Sequence, residues 1–282
     1  MLEAVHRFHG VAVRDGAVVK EAGDASLTCF MRSSSKPLQA LPLVRARDDL
    51  TAEDIAIACA SHRATPAQLA AARALLARAE ATEADLELGP QDGRPPELLY
   101  NNCSGKHAGM LALCRAHGWD THGYRLPGHP VQQAAAAAHA EAAEVDEDEL
   151  ATATDGCGVV TFALPLERMA HAFARLPQLP GAAKITDAMR AHPELVGAAD
   201  GADVLLMRQP GARYVAKGGA EGLLCAVDLG TGTGYALKCE DGSARGMTAA
   251  ATAFLDVDLP PTPVRNTRGE LVGDVSLRTA SA

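Results

Sequence analysis

The stretch Ser33-Ser34-Ser35-Lys36-Pro37-Leu38-Gln39 decides how the rest of the chain is read. Proline lacks a backbone N–H and is tolerated in a helix only in its first turn, so Pro37 predicts a cap near Ser34 and a helix running towards Val44. Ser33 and Lys36 then stand three residues apart where the helix begins. Lys36 sits among the first unpaired amides, and the positive end of the helix disfavours its ammonium form. Burial pushes the same way. A neutral lysine can take the proton of a serine hydroxyl, which is a poor nucleophile until a base removes it. Ser-x-x-Lys also arises by chance, and the competing reading is a plain serine cap beside a solvated lysine.

Upstream of this stretch the chain reads as strands. His9–Arg14 and Ala17–Lys20 flank Asp15-Gly16, a two-residue hairpin signal, and the short apolar run Leu27–Met31 delivers the chain to Ser33. Downstream, residues 51–143 are mainly helical. Thr51 with Asp54 marks one start, and Thr65, Pro66 and Gln68 mark a stronger one, with a helix to about Ala79. Gly105–His117 reads as a helix stopped by Gly118, and an alanine-rich helix follows His129-Pro130. Beyond Val159 the text is mixed: helices over Leu166–Leu176, Ala182–Ala191 and Met247–Leu255, strands over Asp203–Met207, Tyr214–Lys217, Leu223–Leu229 and Gly234–Lys238, and a last hairpin around Arg268-Gly269. The simplest assembly is an α/β domain from residues 1–45 and 150–282, its sheet built from both chain ends, with a mainly helical domain over 46–149.

The 282 residues carry 48% hydrophobic and 22% charged side chains, an ordinary globular balance able to build a sizeable core. The formal net charge of -9 and the absence of a basic run argue against nucleic acid as a partner. No apolar stretch is long enough to span a membrane, and the first residues lack the basic-then-apolar pattern of a signal peptide, so a cytoplasmic location is expected. Seven scattered cysteines are a poor disulfide framework, and the default expectation for each is core packing.

Two further clusters carry candidate chemistry. In Asn101-Asn102-Cys103-Ser104-Gly105-Lys106-His107, Cys103 and Lys106 lie about one helical turn apart with His107 adjacent. In Asp155-Gly156-Cys157-Gly158, flanking glycines allow a tight path around a ligand, and Asp155 is placed to orient a neighbouring base. Zinc accepts thiolate and imidazole, and lysine only when deprotonated, so this would be an unusual site. Cys-x-x-Cys, the strong zinc signal, is lacking, and buried thiols with a polar turn remain the alternative. Ser61-His62 offers a second hydroxyl and Lys238 a second amine, neither persuasive alone. Lys217–Gly222 exposes backbone that suits a carboxylate or oxyanion. Gly230–Gly234 has no Lys-Ser/Thr pair after it and reads as a link between two strands, so it is at best a weak nucleotide signal.

Taken together, Arg32–Pro37, Ala60–His62, Asn101–Gly109, Tyr124–Pro130, Asp155–Gly158, His192–Gly197, Lys217–Gly222 and Leu237-Lys238 resemble the rhizobial-type L-asparaginases, also called asparaginase II. The resemblance implies an α/β fold like that of serine β-lactamases and penicillin-binding proteins, a homodimer, and hydrolysis of the small-molecule amide L-asparagine to L-aspartate and ammonia. It also implies two Ser/Lys pairs, Ser33 with Lys36 and Ser61 with Lys238. Zinc would be held by Cys103, Lys106 and Cys157, with His107 and Asp155 close by and Cys225 near the site. One departure stands out: Gly201-Ala202-Asp203-Val204 occupies the place where relatives carry an Arg-x-Asp-Thr segment. Two alternatives remain at this point. A β-lactam or peptide hydrolase of the same fold is disfavoured because no Ser-Asp-Asn or Lys-Thr-Gly signal follows. A non-catalytic zinc- or ligand-binding protein is disfavoured because all four Ser and Lys residues are kept.

Overall fold

The computed structural model describes residues 2–277. Its strands, in chain order, are β1 (Phe8–Arg14), β2 (Ala17–Ala22), β3 (Thr28–Phe30), β4 (Ala151–Thr154), β5 (Val160–Pro165), β6 (Tyr214–Gly219), β7 (Leu223–Asp228), β8 (Thr233–Cys239), β9 (Thr262–Arg265) and β10 (Leu271–Val275). Five of them form one antiparallel sheet in the order β2-β1-β8-β7-β6, so strands from both ends of the chain meet at the β1–β8 ladder. A small sheet β3-β5-β4 and the ribbon β9–β10 complete a mixed α/β architecture.

Local chemistry accounts for the turns and caps. Asp15 and Gly16 both take positive φ, 52° and 77°, the backbone a two-residue hairpin needs to match strand twist. Thr51 with Asp54, and Thr65 with Gln68, each form a reciprocal capping box at the helices Ala52–Ala58 and Pro66–Arg78. The aspartate at the third position of the first box does the work that Glu or Gln more often does. Helix Ser104–His117 ends on Gly118 in the left-handed conformation, and Pro130–Ala143 starts on His129, whose ring accepts the Val131 amide.

Helices cover both faces of the five-stranded sheet. Leu166–Arg175 packs on β1, β7 and β8, coming so close that a Cβ on Gly234 would lie 1.9 Å from the Ala170 carbonyl. Met247–Leu255 packs on β8, and a Cβ on Gly10 would meet its Phe254 ring at 3.0 Å. Gly234 pairs with Val13, three residues along β1 from Gly10, so the two approaches are to opposite faces. A separate apolar cluster, with Ile57, Leu75, Leu111 and Tyr124 at its centre, holds the helices between Ala52 and His117 together.

One expected strand is a helix. Ala202–Met207 is helical and lies against β6. A short run of apolar residues does not distinguish a buried strand from a buried helix by periodicity. Every residue of this run except the partly covered Leu205 is buried, so it has no alternating strand face. The strands β4 and β5 were not anticipated, and the first of them is exposed along its whole length. Among the described residues no helix is long and apolar enough to cross a membrane.

Candidate active site

The helix begins earlier than Pro37 alone indicates. Arg32–Ser35 forms a 3-10 turn that runs into the helical segments Lys36–Gln39 and Leu41–Ala46. No serine side chain caps it. Ser34 and Ser35 instead donate their hydroxyls back to the carbonyls of Met31 and Arg32, at 2.6 and 2.7 Å. Ser33, half-buried, is left with its hydroxyl uncommitted among the described residues. Arg32 immediately before it has φ +49°, which costs energy in a residue with a Cβ and persists only when its surroundings hold it there. Those surroundings are visible: the Arg32 amide donates to Thr161 Oγ1 at 3.2 Å, and its Nε donates to Asp155 Oδ1 at 2.6 Å.

Lys36 is fully buried and points to the end of helix Ala52–Ala58. Its Nζ donates to the Ala60 carbonyl and lies 3.1 Å from Ser61 Oγ. The amine that was expected to serve Ser33 thus directly contacts the second serine. Burial draws the Lys36 pKa down to about 8; Cys103 and Cys157 oppose that shift, while Lys106 and Lys217 add to it. His62, beside Ser61, is fully buried rather than at the surface. Its ring sits 2.8 Å from Ser104 Oγ and accepts the Ala64 amide, and burial lowers its pKa to about 3, so it is a neutral brace.

Cys103, Lys106 and Cys157 are brought together, although 51 residues separate the last two. Lys106 Nζ is 2.9 Å from Cys157 Sγ. The hydrogen bond from Cys157, aided by Lys36 and Lys106, lowers the Cys103 thiol well below its ordinary range against the effect of burial. Cys157 is raised, by Cys103 first and by burial second. Burial alone would depress Lys106, but the two sulfurs outweigh it and raise the amine. Burial likewise opposes the charge on Asp155, yet Lys106 and Arg32 hold its carboxyl below the usual carboxylate range. Two buried thiols whose ionisations influence one another, one of them favouring thiolate, fit a soft divalent ion. Lys106 fits as a ligand only after losing the proton these same sulfurs hold on it. His107 donates nothing to this cluster directly: its Nδ1 meets the Tyr124 hydroxyl at 2.7 Å, and its buried Nε2 has no partner.

The approach of helix Ser104–His117 to helix Ala52–Ala58 positions both halves of the site. At Gly105 a Cβ would fall 2.2 Å from the Ile57 carbonyl, so only glycine allows it. Gly105→Ala is therefore expected to destabilise the protein by about 2 kcal/mol or more, because backbone rather than a flexible side chain must yield. A lowered midpoint in thermal unfolding checks this.

The remaining assignments fare differently. Lys238 is partly exposed, and its Nζ donates to the carbonyls of Glu221 (2.6 Å) and Cys239 rather than to Ser61. A second buried amine whose charge reaches Lys36, after Lys106, is Lys217 on the edge strand β6, 3.3 Å from Asp203 Oδ2 and 2.9 Å from the Gly218 carbonyl. Sequence reading missed it as a candidate amine, though its Lys-Gly-Gly setting was noted as exposed backbone. Gly219 brings β6 against the 3-10 turn, where a Cβ would lie 2.8 Å from the Met31 carbonyl. Asp203 accepts the amides of Gly218 and Val204 at 2.9 Å each, so it anchors β6 and Lys217. Cys225 on β7 contacts Ser34 Oγ at 3.6 Å beneath the turn, and burial pushes its thiol up to about 12.

Among solved structures, the chain overlaps a provisionally named β-lactamase from Bacteroides dorei DSM 17855, with 11% identity and a TM-score of 0.47 over 89% of this chain and 94% of that one. It also overlaps a β-lactamase from Mycobacterium bovis, with 14% identity and a TM-score of 0.40 over 87% and 94%. Likeness at this level says nothing of the reaction. No curated protein matches. The sequence does match the family model described as L-asparaginase II over residues 1–276, and the chain therefore belongs to the L-asparaginase II family of amide hydrolases.

Proposed function

We propose that this protein hydrolyses L-asparagine to L-aspartate and ammonia at a Ser/Lys centre. The observation that carries the reading is the buried Lys36 amine, with a pKa drawn to about 8, on the helix that continues the Ser33 turn and 3.1 Å from the Ser61 hydroxyl. In this reading neutral Lys36 takes the Ser33 proton as the serine oxygen attacks the side-chain amide carbon. The tetrahedral intermediate collapses to an ester, and Ser61, bonded to Lys36, passes the proton to the departing ammonia. Water, deprotonated by the same amine, then cleaves the ester. Backbone amides near the turn would stabilise the oxyanion. Cys103, Cys157 and a deprotonated Lys106 would hold zinc, which supplies a Lewis-acid anchor for the amino-acid end of the substrate. A homodimer belongs to the same reading, and light scattering on the purified chain tests it.

A second reading has a specific observation behind it: Ser61, not Ser33, is the hydroxyl already bonded to the amine, at a distance suited to an activated nucleophile. Ammonia release from asparagine and glutamine, measured for the unmodified protein, Ser33→Ala and Ser61→Ala, decides between them. Mass spectrometry of denatured samples locates the ester. Absence of ammonia release from asparagine by the unmodified protein, with and without zinc, would sink the proposal. Ester on Ser61 would select the second reading.

The amine also sets a pH dependence. Lys36 must be neutral to accept a proton, and its pKa lies near 8 rather than 10.5. The rate should rise with pH through about 8 and level off above it. The groups whose charges bear on that limb are Cys103, Cys157, Lys106 and Lys217; His62 and His107 feel the Lys36 charge in return and stay neutral, burial lowering both. A pH profile of kcat/KM checks the limb; a profile flat from neutral pH upward would contradict it.

A further inference from the structure

A second cluster of ligating side chains lies outside the Ser/Lys and thiol site. His6, Cys239 and Asp241 each offer a ligand atom, and these atoms all fall within 4.8 Å of one another. The β1–β8 ladder explains the meeting of residues so far apart in sequence. Phe8 pairs with Cys239, and the pairing runs on beyond the strands, where the Glu240 amide donates to the Arg7 carbonyl at 2.9 Å. One more step in the same register sets His6 opposite Asp241. There His6 Nδ1 lies 2.7 Å from Asp241 Oδ2, and the Cys239 thiol donates to Asp241 Oδ1 at 2.8 Å. The Ser243 amide also donates to Oδ1, at 2.9 Å, and fixes the turn. Cys239 is fully buried, the His6 side chain is 16% exposed and Asp241 49% exposed, so the cluster is closed on the thiol side and open on the carboxylate side. His6 Nε2 is buried and makes no hydrogen bond, so no other partner commits the ring.

We propose that His6, Cys239 and Asp241 form a second, separate binding site for a divalent cation of the zinc class. One imidazole, one thiolate and one carboxylate are the ligand types zinc and its spectroscopic substitute cobalt(II) accept, with water filling a fourth position on the exposed side. Two ligands about 2.1 and 2.3 Å from a tetrahedral ion stand about 3.6 Å apart, so the present hydrogen-bonded pairs open by less than about 1 Å to admit it. On binding, Cys239 gives up its thiol proton to solvent and the His6 ring proton exchanges through solvent from the ligating nitrogen to the other; the bonds both made to Asp241 are lost, and imidazole nitrogen, sulfur and carboxylate oxygen each donate a lone pair to the metal. The ion then ties the segment leading into β1 to the turn leading into helix Met247–Leu255.

Cobalt(II) titration of the metal-stripped chain carrying Cys103→Ser and Cys157→Ser tests the site without the other thiol pair. The expected result is a thiolate-to-cobalt charge-transfer band that saturates at one ion per chain, disappears in the added variant Cys239→Ser and weakens at least tenfold in affinity in His6→Ala. Absence of the band, or a band indifferent to Cys239→Ser, overturns the proposal. If the double variant does not fold, the comparison is made in the otherwise unmodified protein. There Cys239→Ser must bind one cobalt fewer than its parent by elemental analysis, and equal stoichiometry overturns the site.

Discussion

Lys36→Met is expected to lower kcat/KM for asparagine hydrolysis by about three orders of magnitude, the scale on which a positioned general base contributes. Methionine keeps most of the buried volume and removes only the proton-accepting amine, so the fold should survive. The Ala60 carbonyl and the Ser61 hydroxyl lose one shared donor. The same substitution should abolish the pH limb near 8, leaving the residual rate with a different profile. That second readout separates loss of the base from a general loosening of the pocket. Ammonia release measured across pH, alongside thermal unfolding, checks both. A variant that keeps the limb would show that another group titrates there.

Lys217→Met has the second largest expected effect, and it acts in two ways. Lys217 is fully buried against Asp203, and removing one partner of a buried pair leaves the other charge uncompensated. A loss of about 3 kcal/mol of stability follows, moderated by the amides of Gly218 and Val204 that still bond the carboxylate. Its positive charge also helps to hold the Lys36 pKa down. Without it the Lys36 amine binds its proton more tightly, so the rising limb moves to higher pH. Asp203→Asn tests the division: it leaves the buried Lys217 ammonium without its carboxylate, so its destabilisation should be of similar size, but it keeps the Lys217 charge and should leave the limb nearer its original position. A Lys217 variant with an unmoved limb would show that its charge does not reach Lys36 in solution.

How much of this was legible beforehand depended on the range of the interaction. The turns and caps at Asp15-Gly16, Thr51, Thr65 and Gly118 are local chemistry, and the sequence alone placed them. The Ser-x-x-Lys spacing predicted a buried amine at a helix start, and Lys36 is one. Which hydroxyl it meets was not legible, because Ser61 follows a different helix, Ala52–Ala58, whose approach depends on Gly105. Lys238 and Lys217 both lie on strands, and nothing local tells which strand is the edge that faces the 3-10 turn. That is a property of the order β2-β1-β8-β7-β6. Asp203–Met207 was misread for the opposite reason: the run is too short for its period to speak, and packing against β6 settled it. The His6–Cys239–Asp241 cluster leaves no trace in spacing, since register alone creates it.

That register has a consequence for how the molecule is made. β1 closes against β8, so more than two hundred residues intervene between neighbours in the sheet. On a ribosome the first hairpin must wait, its apolar inner face unpaired, until the residues through β8 have emerged. Closing so long a loop carries a large entropic penalty before any contact rewards it, and folds of this kind assemble slowly. The first hairpin is thus the segment most in need of chaperone protection during synthesis, and truncation before Thr233 should give aggregation in place of a partial fold.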